Sequence, residues 1–172
     1  MIRLAITGGI GSGKSYIARQ MHDLLGIPVY DSDREAKRLN VESEEIRRGF
    51  IQLMGTEAYD ADGSLNRQVV ARYLFQSQEH ADRINALVHP VVTRDFLRWA
   101  EAQHTEVVAI ETALLKESGI DRIVDKVIRV DAPLETRIRR AMQRDGVTRE
   151  KVIERINRQT EYPNPDIIIS NN

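Results

Sequence analysis

Apolar residues along this chain fall into short runs separated by glycine and by long polar stretches, and the spacing predicts the elements. Ile2–Ile6 is a short buried strand that glycines break at once. From Lys14 to Leu25 the apolar positions Ile17, Met21, Leu24 and Leu25 recur at helical spacing, and Gly26 ends the helix. Pro28-Val29-Tyr30 begins a second extended segment that runs into Asp31-Ser32-Asp33. Strand, helix and strand in about 30 residues make a βαβ unit, which implies a parallel sheet covered by helices.

The next stretch changes character. Residues 34–104 read as mostly helical and polar, with turns at Gly55 and at Asp60–Gly63, and are expected to form a helical insertion within one domain. Val107–Ile110 and Lys126–Val130 return to buried strands, with a helix expected over 114–118 between them. A strongly basic helical stretch follows from Leu134 to about Gln159. Asp166–Ser170, with Ile167-Ile168-Ile169 as its core, is expected to be the last strand. The fold class is therefore α/β, a parallel sheet of three-layer type. The expected core comprises residues 1–33, 105–135 and 166–172, the insertion about 34–104 and a basic lid about 136–160.

Composition narrows the possibilities. With 172 residues, 41% hydrophobic and 30% charged, the chain suits one globular domain and excludes a disordered tail. Its 25 basic and 26 acidic residues leave a net charge of −1, so no global positive field draws in nucleic acid or an anionic membrane. The absence of cysteine excludes disulfides, thiolate zinc sites and a cysteine nucleophile. The apolar run before the first glycines is too short for a secretory signal, and no stretch approaches the ~20 apolar residues of a membrane span. A soluble, cytoplasmic protein is expected.

The chemistry is concentrated in Gly8-Gly9-Ile10-Gly11-Ser12-Gly13-Lys14-Ser15, which fits G-x-x-x-x-G-K-[ST] without a gap. A polyphosphate needs several N–H donors converging on its oxygens, and glycines let the backbone wrap closely enough to supply them. Lys14 is expected on the β- and γ-phosphates and the Ser15 hydroxyl on Mg²⁺, and the N-terminus of the following helix adds a favourable dipole. The candidate nucleotide-binding residues are Gly11, Ser12, Gly13, Lys14, Ser15 and Tyr16.

Asp31 and Asp33 follow the second strand, at the sheet edge where ligands bind in open parallel sheets. A kinase must offer a carboxylate to the acceptor hydroxyl. In extended chain, alternate residues point the same way, so both aspartates would face the acceptor, with Asp33 as the base. The competing reading is a turn that caps a helix starting near Arg34. Arg137, Arg140 and Arg144 share one face of the basic helix, and a closing arginine lid is expected there in preference to a merely solvated face. His89 reads as structural and Glu111 as either metal-associated or an ordinary strand-end carboxylate.

Taken together, these segments resemble the dephospho-CoA kinase family. Thr7–Ser15 matches its opening TGGIGSGKS, and Asp31-Ser32-Asp33 its D-x-D. Asp62-Gly63-Ser64-Leu65-Asn66-Arg67 followed by Leu74-Phe75, and Ile84-Asn85-Ala86-Leu87-Val88-His89-Pro90, are similar to its insertion signatures. Ala113-Leu114-Leu115-Lys116-Glu117 stands for its "PLL-x-E", with Ala113 in place of proline. Arg137–Asp145 with Thr148-Arg149-Glu150 stands for the lid, and Asp166–Asn172 for its ending. The segment between Gln159 and Asp166 is shorter than is usual in the family, whose sequences normally continue past the last asparagine pair with a helix.

The resemblance implies a P-loop kinase fold and transfer of the ATP γ-phosphate, with Mg²⁺, to the ribose 3′-hydroxyl of dephospho-CoA. Asp33 would be the base, Lys14 and Arg140 the charge stabilisers and Ser15 a metal ligand, while Asp31, Arg67 and His89 would help build the acceptor site. The expected partner is this small molecule, with neither nucleic acid nor membrane. Two other readings stay open: a small-molecule kinase similar to shikimate kinase, or a non-catalytic nucleotide-binding module. The first is disfavoured because Ile110-Glu111-Thr112-Ala113 lacks that family's glycine triplet. The second loses its best-known form because no N-K-x-D loop is present to read guanine.

Overall fold

The computed structural model describes residues 1–172. They divide into two compact units: Met1–Asp31 with Ala100–Asn172, and Ser32–Trp99.

The first unit is a five-stranded, wholly parallel sheet. In chain order its strands are β1 (Ile2–Gly8), β2 (Val29–Asp31), β3 (Val107–Glu111), β4 (Lys126–Asp131) and β5 (Ile167–Ser170), arranged β2-β3-β1-β4-β5. The central strands are apolar on both faces, as a parallel sheet covered by helices requires. Ala5, Ile6, Val108, Ala109, Ile110 and Val130 are all inaccessible to solvent. Helix α1 (Lys14–Leu25) covers one face. Its Ala18, with Ile17 and Met21, packs on Ile6, Ala109 and Val130.

Helices α6 (Leu134–Asp145) and α7 (Arg149–Arg158) build a second cluster around Ile138, Ala141 and Val152. Ile10 of the glycine loop packs into it, so an apolar side chain anchors the loop to this helical pair.

The second unit is helical: α2 (Ser32–Glu42), α3 (Glu44–Met54), α4 (Arg67–Leu74) and most of α5 (Gln78–Glu101), which continues through Pro90. Ile46, Phe50, Ala58 and Phe96 are buried there. The Tyr59 hydroxyl donates to the Asn40 carbonyl at 2.7 Å, and the Arg47 guanidinium lies 4.3 Å from the Tyr59 ring centre. Among all these elements, no helix is long and apolar enough to cross a membrane.

Three local expectations are corrected. The segment 114–118 is a single turn, not a helix, followed by a short 3-10 turn at Ile120–Arg122. Its polar side chains take up the local backbone: Leu114 N–H donates to the Thr112 hydroxyl at 3.1 Å, the Ser118 hydroxyl donates to the Leu114 carbonyl at 2.6 Å, and Gly119 is left-handed. The basic stretch is two helices, because Gly146 (φ +63°) stops α6 before Thr148 starts α7. The last strand expected around Ile167-Ile168-Ile169 is β5, at the edge of the sheet, with Ile167 and Ile168 about half exposed.

The third correction concerns the aspartates. β2 ends at Asp31 and α2 begins at Ser32, so Asp33 is in the first turn of a helix. The alternation that would turn both carboxylates the same way is absent, and Asp33 instead complements the positive end of the helix dipole.

Candidate functional site

The site is assembled at the carboxyl edge of the sheet in the first unit. β1 lies between β3 and β4 and delivers the chain into the glycine loop. The loop turns into α1 at Gly13, whose φ of +89° is a conformation that side chains resist. Tyr16 N–H and Ile17 N–H both donate to the Gly13 carbonyl, at 3.0 and 3.1 Å. No side chain caps α1, and no acidic residue occupies its first turn. By contrast α3 is capped by the Ser43 hydroxyl and α4 by Asn66. The exposed N–H groups at the start of α1 therefore meet no negative side chain of their own, which suits an anion.

Other elements hold the loop from outside. Arg137 Nε donates to the Ile10 carbonyl at 3.0 Å, while Ile10 N–H donates to Gln159 Oε1 at 2.8 Å. Asn171 Nδ2 donates to the Ser12 carbonyl at 2.9 Å, and Ser12 N–H closes onto the Gly9 carbonyl at 3.0 Å. The approach of α6 is so close that a methyl group on Gly11 would overlap the Arg137 carbonyl. Gln159 belonged to no motif, and Asn171 only to the family-like ending Asp166–Asn172, which did not announce these contacts; only the fold brings them to the loop.

A cavity of about 200 Å³ opens beside the loop, lined by Gly11, Gly13, Lys14, Ser15, Arg140 and Arg144. Arg140 Nη1 donates to the Asn171 carbonyl at 3.0 Å. Arg144 grips Asp145 through two hydrogen bonds of 2.7 and 3.1 Å. The arginine face predicted from helical spacing is thus divided in its work. Arg140 and Arg144 border the cavity, whereas Arg137 is spent on the loop and on Glu161. Further along, Arg149 pairs with Glu135, Arg155 with Asp145 and Arg158 with Glu154. The bond from Arg144, with help from Arg155, holds the Asp145 carboxyl below the usual carboxylate range.

The Ser15 hydroxyl donates to Glu111 Oε1 at 2.5 Å, and Glu111 is buried at the end of β3. Register places Glu111 opposite Asp31 on one side and Ile6 on the other. Both carboxylates therefore stand at the sheet edge from which the loop departs. No group of three or more histidine, aspartate or glutamate side chains forms a ready-made metal cage. A hydroxyl and a carboxylate are nonetheless the hard oxygen donors that Mg²⁺ takes, one or two at a time, with phosphate oxygens completing its shell.

The remaining sequence candidates lie elsewhere. Tyr16 is more than half exposed on α1. Asp33, Arg67 and His89 belong to the helical unit, at the start of α2, the start of α4 and the middle of α5. That unit has its own cavity of about 580 Å³, lined in part by Arg38, Glu45, Val91 and Arg94. Its charges are matched internally: Arg38 bridges Glu35, Glu42 and Asp95, and Arg94 bonds Glu45.

Comparison with known proteins agrees with this geometry. The profile of the dephospho-CoA kinase family (CoaE) matches residues 2–172. A dephospho-CoA kinase of Porphyromonas gingivalis is 44% identical over 156 residues, covering 91% of this chain and 76% of that protein. One from Geobacillus kaustophilus is 33% identical over 178 residues, covering 99% and 88%. Among solved structures, TT1252 from Thermus thermophilus superposes with a TM-score of 0.81 at 33% identity, covering 99% of this chain and 88% of that one. A dephospho-CoA kinase from Campylobacter jejuni (TM-score 0.67, 22% identity, 98% and 87% covered) and a shikimate kinase from Bacteroides thetaiotaomicron (0.51, 15%, 91% and 75%) share the fold alone. A phosphate loop at the head of a parallel sheet, matched in sequence from the second residue to the last, leads to one conclusion: the chain belongs to the dephospho-CoA kinase family.

Proposed function

We propose that this chain transfers the γ-phosphoryl group of ATP to the ribose 3′-hydroxyl of dephospho-CoA, releasing CoA and ADP. One observation carries the reading: the glycine loop, held from outside, borders a cavity that it shares with Lys14, Ser15 and Arg140, in a chain of this family.

In the reaction the acceptor oxygen forms a bond to the γ-phosphorus as the bond to the β–γ bridging oxygen breaks. The hydroxyl proton passes to the Asp33 carboxylate, two residues beyond Asp31 in the chain. Backbone N–H groups at Gly11, Gly13 and the start of α1 cradle the phosphates, with Ser12 and Tyr16 flanking them. Lys14 and Arg140 offset the charge on the group in flight. The Ser15 hydroxyl, with Glu111 behind it, would hold Mg²⁺, which would supply positive charge to offset that of the phosphates. We assign Asp31, Arg67 and His89 to acceptor binding, the last two from the Ser32–Trp99 unit, and residues 136–160 to a lid. The setting is read as cytoplasmic, with a small-molecule partner.

The test is ADP formation by the purified protein with ATP and Mg²⁺. Dephospho-CoA should raise it sharply, with CoA appearing in equal amount, and shikimate should not. Turnover with shikimate and none with dephospho-CoA would overturn the reading.

A further inference from the structure

A trans peptide unit holds its C=O and N–H antiparallel, so whatever pins the carbonyl also sets the direction of the next residue's N–H. In the glycine loop four successive peptides, from Gly9 to Gly13, each have their own holder. The Gly9–Ile10 unit is held by Gln159, the Ile10–Gly11 unit by Arg137, and the Gly11–Ser12 unit by the loop's own bond to the Gly9 carbonyl. The Ser12–Gly13 unit is held by Asn171. Reversing that peptide changes ψ of Ser12 and φ of Gly13, and glycine accepts either sign of φ at little steric cost. Sterics alone therefore leave the Gly13 N–H poorly determined.

Building on the phosphate-site reading above, we propose that Asn171 is a positioning residue for nucleotide binding. By fixing the Ser12 carbonyl, its side-chain amide aims the Gly13 N–H at the phosphates. Asn171 is itself well placed to act as a fixed point. Its N–H donates to the Asp131 carbonyl at 2.8 Å, extending the β4–β5 pairing, and its carbonyl accepts from Arg140. These are backbone links, which survive loss of the side chain. The residue types also agree: a methyl group on Gly13 would overlap Asn171 Nδ2, so glycine there serves both the turn and this contact.

The test uses Asn171→Ala, with Asn171→Asp as an isosteric variant lacking the donor at neutral pH. Calorimetric titration with ATP should show Kd raised about tenfold in Asn171→Ala, the size of one net hydrogen bond. KM for dephospho-CoA should stay within about twofold, a split that general destabilisation would not produce. In glycine-¹⁵N spectra without nucleotide, the Gly13 amide should shift or split in both variants, while Gly26 and Gly119 stay in place. An Asn171→Ala protein whose Gly13 resonance and ATP affinity match the parent would overturn the proposal while leaving the phosphate site intact. A parent protein that bound no ATP would remove the phosphate-site reading, and this proposal with it.

Discussion

The close approach of α6 to the glycine loop can be measured by adding one methyl group. Gly11 has φ of +74°, and a Cβ there would overlap the Arg137 carbonyl oxygen and come within 2.8 Å of the Arg137 carbonyl carbon and Cα. Those are backbone atoms of a helix, so the overlap cannot be relieved by rotating a side chain. Carbon atoms prefer to sit about 3.5–4 Å apart, which requires the loop and α6 to separate by on the order of 1 Å. Gly11→Ala should therefore cost about 1–2 kcal/mol for the left-handed conformation and about 1–3 kcal/mol for overpacking.

Gly26→Ala supplies the control, since φ is +65° there and nothing lies within 4 Å of the added atom. It incurs the first cost alone. At roughly 2–4 °C per kcal/mol for a chain of this size, Gly11→Ala should melt about 2–12 °C below Gly26→Ala by circular dichroism. Displacing the loop by about 1 Å should also reduce ADP formation by about 10²-fold, whereas Gly26→Ala should leave it near normal. Equal melting temperatures for the two variants would show that the contact between loop and helix imposes no constraint.

Four further outcomes are expected. Asp33→Asn should retain ATP binding and lower turnover by about 10²-fold or more, and near-normal turnover would transfer the role of base to Asp31. Arg140→Ala should mainly cut kcat; a change confined to ATP affinity, measured by titration, would argue against a transition-state role. Glu111→Gln should raise the Mg²⁺ concentration giving half-maximal ADP formation, and an unchanged Mg²⁺ titration would detach this carboxylate from the metal. The fourth concerns acid stability. Arg144 and Arg155 hold the folded Asp145 carboxyl below its ordinary value, so its contribution is complete above the usual carboxylate pKa of about 4 and is lost as pH falls through the lower folded value. Denaturant midpoints of the parent and Asp145→Asn should therefore differ near neutral pH and converge in acid; a gap independent of pH would contradict this.

Local features were legible from residues 2 to 31. The alternation of apolar strand, glycines, helix and second strand is a short-range pattern, and Gly26 marks the end of α1 because only glycine closes a helix in the left-handed conformation without strain. The βαβ start, the strands at 107–111 and 126–131 and the nucleotide loop all follow from such patterns. Where polar side chains compete with the backbone for hydrogen bonds, the pattern misleads. Thr112 and Ser118 reduce an expected helix to a turn, and a helix that begins at Ser32 takes Asp33 out of the extended chain. The isoleucines of β5 mark a strand, but their exposure depends on strand order, and a position at the edge of the sheet leaves Ile167 and Ile168 about half exposed.

The amino-acid order by itself determined that a phosphate loop exists, because eight consecutive residues carry its chemistry. Which groups hold that loop was decided only by folding: Arg137, Gln159 and Asn171 lie 127 to 159 positions away from the residues they contact. Helical spacing places Arg137 and Arg140 on one face, but it cannot tell that one guanidinium is consumed by a loop carbonyl while the other borders the cavity. That division depends on how closely α6 approaches the glycine loop, and the folded sheet, with β1 between β3 and β4, brings the two together.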